Sequence, residues 1–193
     1  MSKVHWKGSA LLSPLPPVMV SCGDMEKSNI ITVAWAGMVC TRPPVLSISV
    51  RPERASYPMI RESGEFAVNL TTAALARAAD YCGTYTGRKV DKFEKCGLTR
   101  EACSEISCPG IAESPLTLEC RVREVIPLGS HDMFIADIVA VGADEELLDE
   151  NGRLHLERAG LTAYSHGSYF ELGRRLGAIG FSTDKPTRKK KNK

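Results

Sequence analysis

Three short stretches of this 193-residue chain carry residue types able to hold a small molecule for chemistry. Ala34-Trp35-Ala36-Gly37 sets one large aromatic among small residues, so backbone amides can approach a ligand closely beside a flat apolar wall. The same four residues also fit a tryptophan buried in a strand core. Ser49, Arg51, Arg54 and Ser56 offer hydroxyl and guanidinium donors suited to an anion. Ser56 falls where a helix is expected to begin, an end whose free amides attract negative charge. Lys92 adds a cation in Val90-Asp91-Lys92-Phe93; a solvated charge is the ordinary fate of any one of these. Cysteine supplies a fourth kind of chemistry. Seven are present (22, 40, 82, 96, 103, 108, 120), and four cluster between Cys96 and Cys120. None forms the short paired knuckle with which two thiolates grip one ion, and Cys120 sits on the apolar face of an expected strand, so a metal site is disfavoured.

Other chemistries lack their motifs. There is no GxGxxG after a strand, no GxxxxGK[ST], no HExxH and no GxSxG. His166 and Ser168 are close in sequence, which alone defines no acyl-transfer triad. The net charge of +2 also misleads, because six of the last nine residues are basic. Without those six, 19 basic residues face 23 acidic ones, so the body carries about −4 and is a poor partner for a phosphate backbone. Nucleic-acid binding through the tail is therefore a weak reading. No charged leader precedes an apolar run, and no stretch of about 18 apolar residues is present, so a cytoplasmic chain without a membrane span is expected.

These groups must be positioned by a mainly β framework with peripheral helices. Val18–Gly23 is short and apolar. Asn29–Cys40 is a β-branched run, expected as one strand and ended by Pro43-Pro44. Over Val45–Arg51 the polar Ser47, Ser49 and Arg51 share a face opposite Leu46, Ile48 and Val50. Ser56 is expected to cap a helix, and Phe66–Leu70 to form a strand. Thr72–Tyr81 reads as a helix stopped by Gly83, and Asp91–Lys95 as a further helical turn. Leu116–Arg123 alternates, with Thr117 and Glu119 expected on the solvent side, and Phe134–Val141 is a more uniformly apolar strand. Strands with few helices suggest an antiparallel barrel over residues 1–182, followed by a basic tail at 183–193.

Taken in order, several segments make the chain resemble the flavin reductase-like family, in its flavoredoxin branch. They are Asn29–Gly37, Pro43-Pro44, Ser47–Arg54, Gly64–Asn69, Asp80–Gly83, Gly87–Phe93, Glu113–Cys120 and Gly129–Asp137. Each is weak alone; the ordered set is specific. The resemblance implies an FMN-binding split β-barrel, antiparallel and Greek-key-like. It implies that Ala34, Trp35, Ala36 and Gly37 line the ring system, and that Ser49, Val50, Arg51, Ser56, Lys92 and Phe93 lie along the cofactor towards its phosphate. Asn29, Cys82, Gly83, His131 and Tyr164 complete the implied cofactor-binding set. For Asn29 a turn role, for Gly83 a plain helix stop and for His131 a structural role stay open, as does the ligand role of Arg54, Arg88 and Lys89.

The implied activity is electron transfer from NADH or NADPH through bound FMN to free flavin or a protein redox partner. The cofactor does the chemistry, and no side chain need act as acid or base. A carrier without direct NAD(P)H oxidation is the alternative. A homodimer is implied as well.

Overall fold

In the computed structural model, which describes residues 1–183, these sequence patterns become eleven strands and three α-helices. The strands β1 (Val18–Gly23), β2 (Ser28–Val33), β3 (Ala36–Thr41) and β4 (Pro44–Val50) precede α1 (Ser56–Ser63) and β5 (Glu65–Leu70). Then come α2 (Ala76–Thr84), α3 (Lys92–Cys96) and the short pair β6 (Arg100–Glu101) and β7 (Gly110–Ile111). Two long strands, β8 (Leu116–Pro127) and β9 (Asp132–Ala143), and a hairpin, β10 (Thr162–Ser165) and β11 (Ser168–Glu171), complete the order. The expected tail at 183–193 lies outside the described residues apart from Thr183. No helix among the described residues is long and apolar enough to cross a membrane.

Seven strands pair antiparallel in the order β2-β1-β5-β8-β9-β4-β3. The two outermost, β2 and β3, are consecutive in sequence, so the sheet curls round until its edges meet at Ala34-Trp35. The Ser49 amide donates to the Trp35 carbonyl at 2.9 Å and pins that corner to β4. Asn29–Cys40 is thus two strands rather than the expected one. Small residues at Ala34, Ala36 and Gly37 allow the turn, but an unbroken apolar run does not announce it.

Inside the barrel Val20, Cys22, Ile48, Phe66 and Phe134 pack with Ile60 of α1. Burying each large side chain contributes about 1.5–3 kcal/mol. The outer face of β1 and β2 is covered too, where Met19 and Ile30 meet Leu75, Ala79, Phe93 and Ile111 beneath α2 and α3. Double coverage explains why Val18–Gly23 is apolar without alternation. It also corrects the reading of β8, since Thr117 and Glu119 are both buried. Glu119 accepts from the Ser104 amide and hydroxyl, each at 2.9 Å, and from the Glu105 amide at 2.7 Å. Burial pushes its carboxyl pKa up, but those donors outweigh burial and hold it below the ordinary value.

Asn69, fully buried on β5, ties four elements together. Its amide donates to the Met19 carbonyl at 2.9 Å and the Ser21 hydroxyl at 3.0 Å. Its oxygen accepts from the Ile111 amide and the Thr117 hydroxyl, both at 2.9 Å. Three helix boundaries differ from expectation, and the first is that α2 begins at Ala76 rather than Thr72. Ser56 is the first residue of α1 rather than its cap, which is Ala55. Gly83 lies inside α2, which runs to Thr84.

Candidate functional site

The corner at Ala34-Trp35 opens into a slot made of two adjoining cavities, of about 480 and 400 Å³. They share Ile31, Arg51 and Arg54 along their common boundary. The volumes suit a nucleotide-sized ligand.

The first cavity is the more apolar at its walls. Trp35 is 44% exposed, so it is not the core tryptophan that the sequence left open. Its ring lies against His131, with centroids 4.5 Å apart and planes tilted by 46°. Burial lowers the His131 pKa, and the nearby Arg51 and Arg54 charges lower it further, so the imidazole is neutral near neutral pH. Its Nδ1 lies 2.9 Å from the Ser130 hydroxyl. Opposite, two segments far apart in sequence form one wall. Leu15 and Tyr164 exchange backbone hydrogen bonds of 2.8 and 2.9 Å, and Ser13 donates to the Ser165 hydroxyl at 2.6 Å. The β10–β11 turn adds His166 and Gly167, with φ of 47° and 82°, the left-handed pair that a two-residue hairpin turn requires.

The second cavity is cationic. Lys92 opens α3, capped by the Asp91 side chain, and its own side chain is buried. The ammonium donates to the carbonyls of Ile30 and Cys82, both at 2.7 Å. Among the described residues it has no carboxylate within ion-pair distance. Three donors less two acceptors leaves one N–H for a ligand. Desolvation depresses the Lys92 pKa, as expected of a buried cation without a counter-charge. Nearby, Asn29 donates to the Ser56 hydroxyl at 2.8 Å, which leaves the Ser56 hydrogen free to donate. Gly87 presses on this pair. A Cβ at Gly87 would fall 2.0 Å from Asn29 Oδ1, so only glycine lets the 85–88 loop close here.

Of the residues predicted as cofactor-binding, Ala34, Trp35, Ser49, Val50, Arg51, His131 and Tyr164 line the first cavity. Asn29, Ser56, Cys82 and Lys92, with Arg51 again, line the second. Four lie elsewhere. Ala36 packs against the core, and Gly37 pairs with Ser47 on β3. Gly83 faces Thr32, and Phe93 is fully buried beneath the Arg100 guanidinium. Cys82 presents its carbonyl to the cavity's lysine while burial, then the adjacent Cys96, push its thiol pKa up to about 12. The sequence reading missed Ile31, Thr86, Gly87, His166 and the arm at Leu11–Ser13. Ile31 and Gly87 left a sequence signal, since they lie in the Asn29–Gly37 and Gly87–Phe93 segments.

A mainly antiparallel barrel closed at a corner, with a cationic slot at that corner, defines the split-barrel class. This chain belongs to the flavin reductase like domain family, whose model matches residues 11–173. Its fold is similar to that of flavoredoxin of Desulfovibrio vulgaris (Miyazaki F), with a TM-score of 0.86 and 30% identity over 95% of this chain and 100% of that one. Flavoredoxin from Methanosarcina acetivorans also gives a TM-score of 0.86, with 26% identity over 95% and 98% of the two chains. In sequence the chain is 27% identical to the FMN reductase (NADH) RutF of Enterobacter cloacae over 109 residues, 55% of this chain and 64% of that protein.

Proposed function

We propose that this chain binds FMN in the slot and acts as an oxidoreductase of the NAD(P)H:flavin type. The observation that carries the reading is Lys92, a buried ammonium with a spare donor and, among the described residues, no carboxylate within ion-pair distance, on the wall of a cavity that also holds Arg51 and Arg54. A phosphate is the group that would complete it. Arg51, Arg54, Lys92 and the Ser56 hydroxyl would hold the phosphate, while Ile31, Val50, Trp35 and His131 would flank the ring system. When bound, FMN supplies the redox chemistry, accepting electrons from NADH or NADPH and passing them to free flavin or a protein partner. The protein holds the ring in place, and the Leu11–Ser13 arm with the His166-Gly167 turn screens one side of it from water. A neutral His131 beside Trp35 adds a polar contact without adding charge. The similarity to a protein named as an NADH-dependent FMN reductase supports this activity.

Similarity to two flavoredoxins over nearly the whole chain favours a second reading, a carrier reduced by a protein partner. Anaerobic absorbance spectra of the FMN-loaded protein separate the two. Bleaching on addition of NADH or NADPH establishes the reductase. Flavin that stays oxidised with both nicotinamides but is reduced by a ferredoxin establishes the carrier. Protein that takes up no FMN ends both readings.

The chain is proposed to work in the cytoplasm, where its seven free thiols stay reduced. It is also proposed to act as a homodimer. The edge strand β3, bulged between Met38 and Cys40, leaves Met38 and Val39 exposed, apolar side chains that a second copy would cover.

A further inference from the structure

Cys82 on α2 lines the cationic cavity, and Cys96 is the last residue of α3. Lys92 ties the two helices together here, since its ammonium donates to the Cys82 carbonyl at 2.7 Å. Lys92 and Cys96 are four residues apart on α3 and so share a face, the one turned towards Cys82. The two thiols share a hydrogen bond, and both pack on the apolar cluster that holds Ala79 and Phe93. Their exposure differs. Cys82 is 1% exposed, whereas Cys96 is half-buried and lines a third cavity of about 510 Å³, through which a small solute can reach it. Among the described residues no other cysteine is placed in this way. The thiols of Cys22, Cys108 and Cys120 are buried and donate to the carbonyls of Asn29, Ser21 and Leu118. Cys103 lines a cavity, but the thiol packed beside it is that of Cys108, already given to Ser21. Cys40 is exposed on β3, away from these thiols.

We propose that Cys82 and Cys96 form a reversible dithiol site, which hydrogen peroxide joins as a disulfide, and that the oxidised protein holds FMN less tightly. The Cys96 sulfur attacks one peroxide oxygen, the O–O bond breaks, and water leaves a sulfenic acid behind. The Cys82 sulfur then attacks that of Cys96, the S–O bond breaks, and the hydroxyl leaves as a second water with the Cys82 proton. In all, two thiols lose two electrons and one peroxide becomes two waters. A dithiol reductant reverses the bond by exchange, as suits the transient, redox-sensing disulfides of a reducing compartment. A disulfide of about 2.0 Å is far shorter than a thiol–thiol contact, so closing it draws the end of α2 towards Cys96. The Cys82 carbonyl moves with its sulfur, and the contact that aims Lys92 into the cationic cavity is disturbed. The effect on FMN rests on the flavin reading above; the disulfide does not.

Peptide mapping by mass spectrometry and FMN titration, each on the full chain before and after one equivalent of hydrogen peroxide, test this. Oxidised wild type should lose the mass of two hydrogens and yield a peptide pair linked through Cys82 and Cys96. Its FMN affinity should fall about tenfold and return with dithiothreitol. Cys96→Ser, a conservative change at a half-buried position, should bind FMN as reduced wild type does, form no such link and ignore peroxide. The proposal falls if the link joins other cysteines, such as Cys103 to Cys108, or if Cys96 is oxidised to a sulfinic acid with Cys82 untouched. It falls too if oxidised and reduced wild type bind FMN equally, or if Cys96→Ser loses affinity with peroxide as wild type does. Protein that takes up no FMN in either state ends the flavin reading and the switch with it, while mapping still reads whether the two sulfurs join.

Discussion

Lys92 gives two of its hydrogens to the carbonyls of Ile30 and Cys82, and burial lowers its pKa, with no carboxylate within ion-pair distance among the described residues. A phosphate would relieve that imbalance with a charge-assisted hydrogen bond, worth about 1.5–3 kcal/mol. Lys92→Met should therefore weaken FMN by roughly 10- to 100-fold. Riboflavin, which lacks the phosphate, should keep its affinity. Fluorescence titration reads both, and an equal loss for the two would remove Lys92 from the phosphate site. The residue next to it shows why such a site is only partly readable from sequence. Lys92 and Phe93 adjoin in one motif, but neighbours on a helix point about 100° apart. Lys92 therefore reaches the cavity while Phe93 fills the core. Cys82 and Gly83 divide in the same way, one lining the cavity and the other facing Thr32.

At the scale of elements, the barrel wall behind the slot depends on Asn69, which joins β5 to β1, β7 and β8 through four hydrogen bonds. Asn69→Ala strands the buried Ile111 amide and Thr117 hydroxyl and leaves a cavity. It should destabilise the protein by about 3 kcal/mol or more in urea unfolding; a loss below about 1 kcal/mol would show that water replaces the side chain. Asn69 ends a segment quoted for the family resemblance, yet nothing in its type or spacing announces four partners. Strand existence was easier to read, and Val18–Gly23 matches β1 residue for residue. Boundaries were harder, for a physical reason in each case. Gly83 did not end α2, because the helix packs Ala79 and Cys82 into the core and carries the glycine against Thr32. Glu119 and Thr117 looked solvent-facing because their covers, the loop around Ser104 over Glu119 and Gly110 of the two-residue β7 over Thr117, show no periodicity of their own.

For the whole molecule, the antiparallel barrel was readable from sequence, while the place at which it closes was not. The pairing that matters joins Trp35 to Ser49 across a turn hidden inside an apolar run. The exposed β3 edge that this closure leaves is where a second copy should add. Sedimentation velocity should find a mass about twice the 21.0 kDa of one chain. Val39→Glu, which places a charge on that edge, should give the single chain. A dimer that survives the substitution would clear β3 of the role, and a wild-type monomer would end the idea of pairing. The wall facing Trp35 is assembled from segments distant in sequence, since Ser13 and Ser165 meet across 152 residues. A nascent chain therefore cannot complete this wall until the β10–β11 hairpin has left the ribosome. A chain truncated before Thr162 should retain FMN less tightly than the full chain, which dialysis of the two loaded proteins reads.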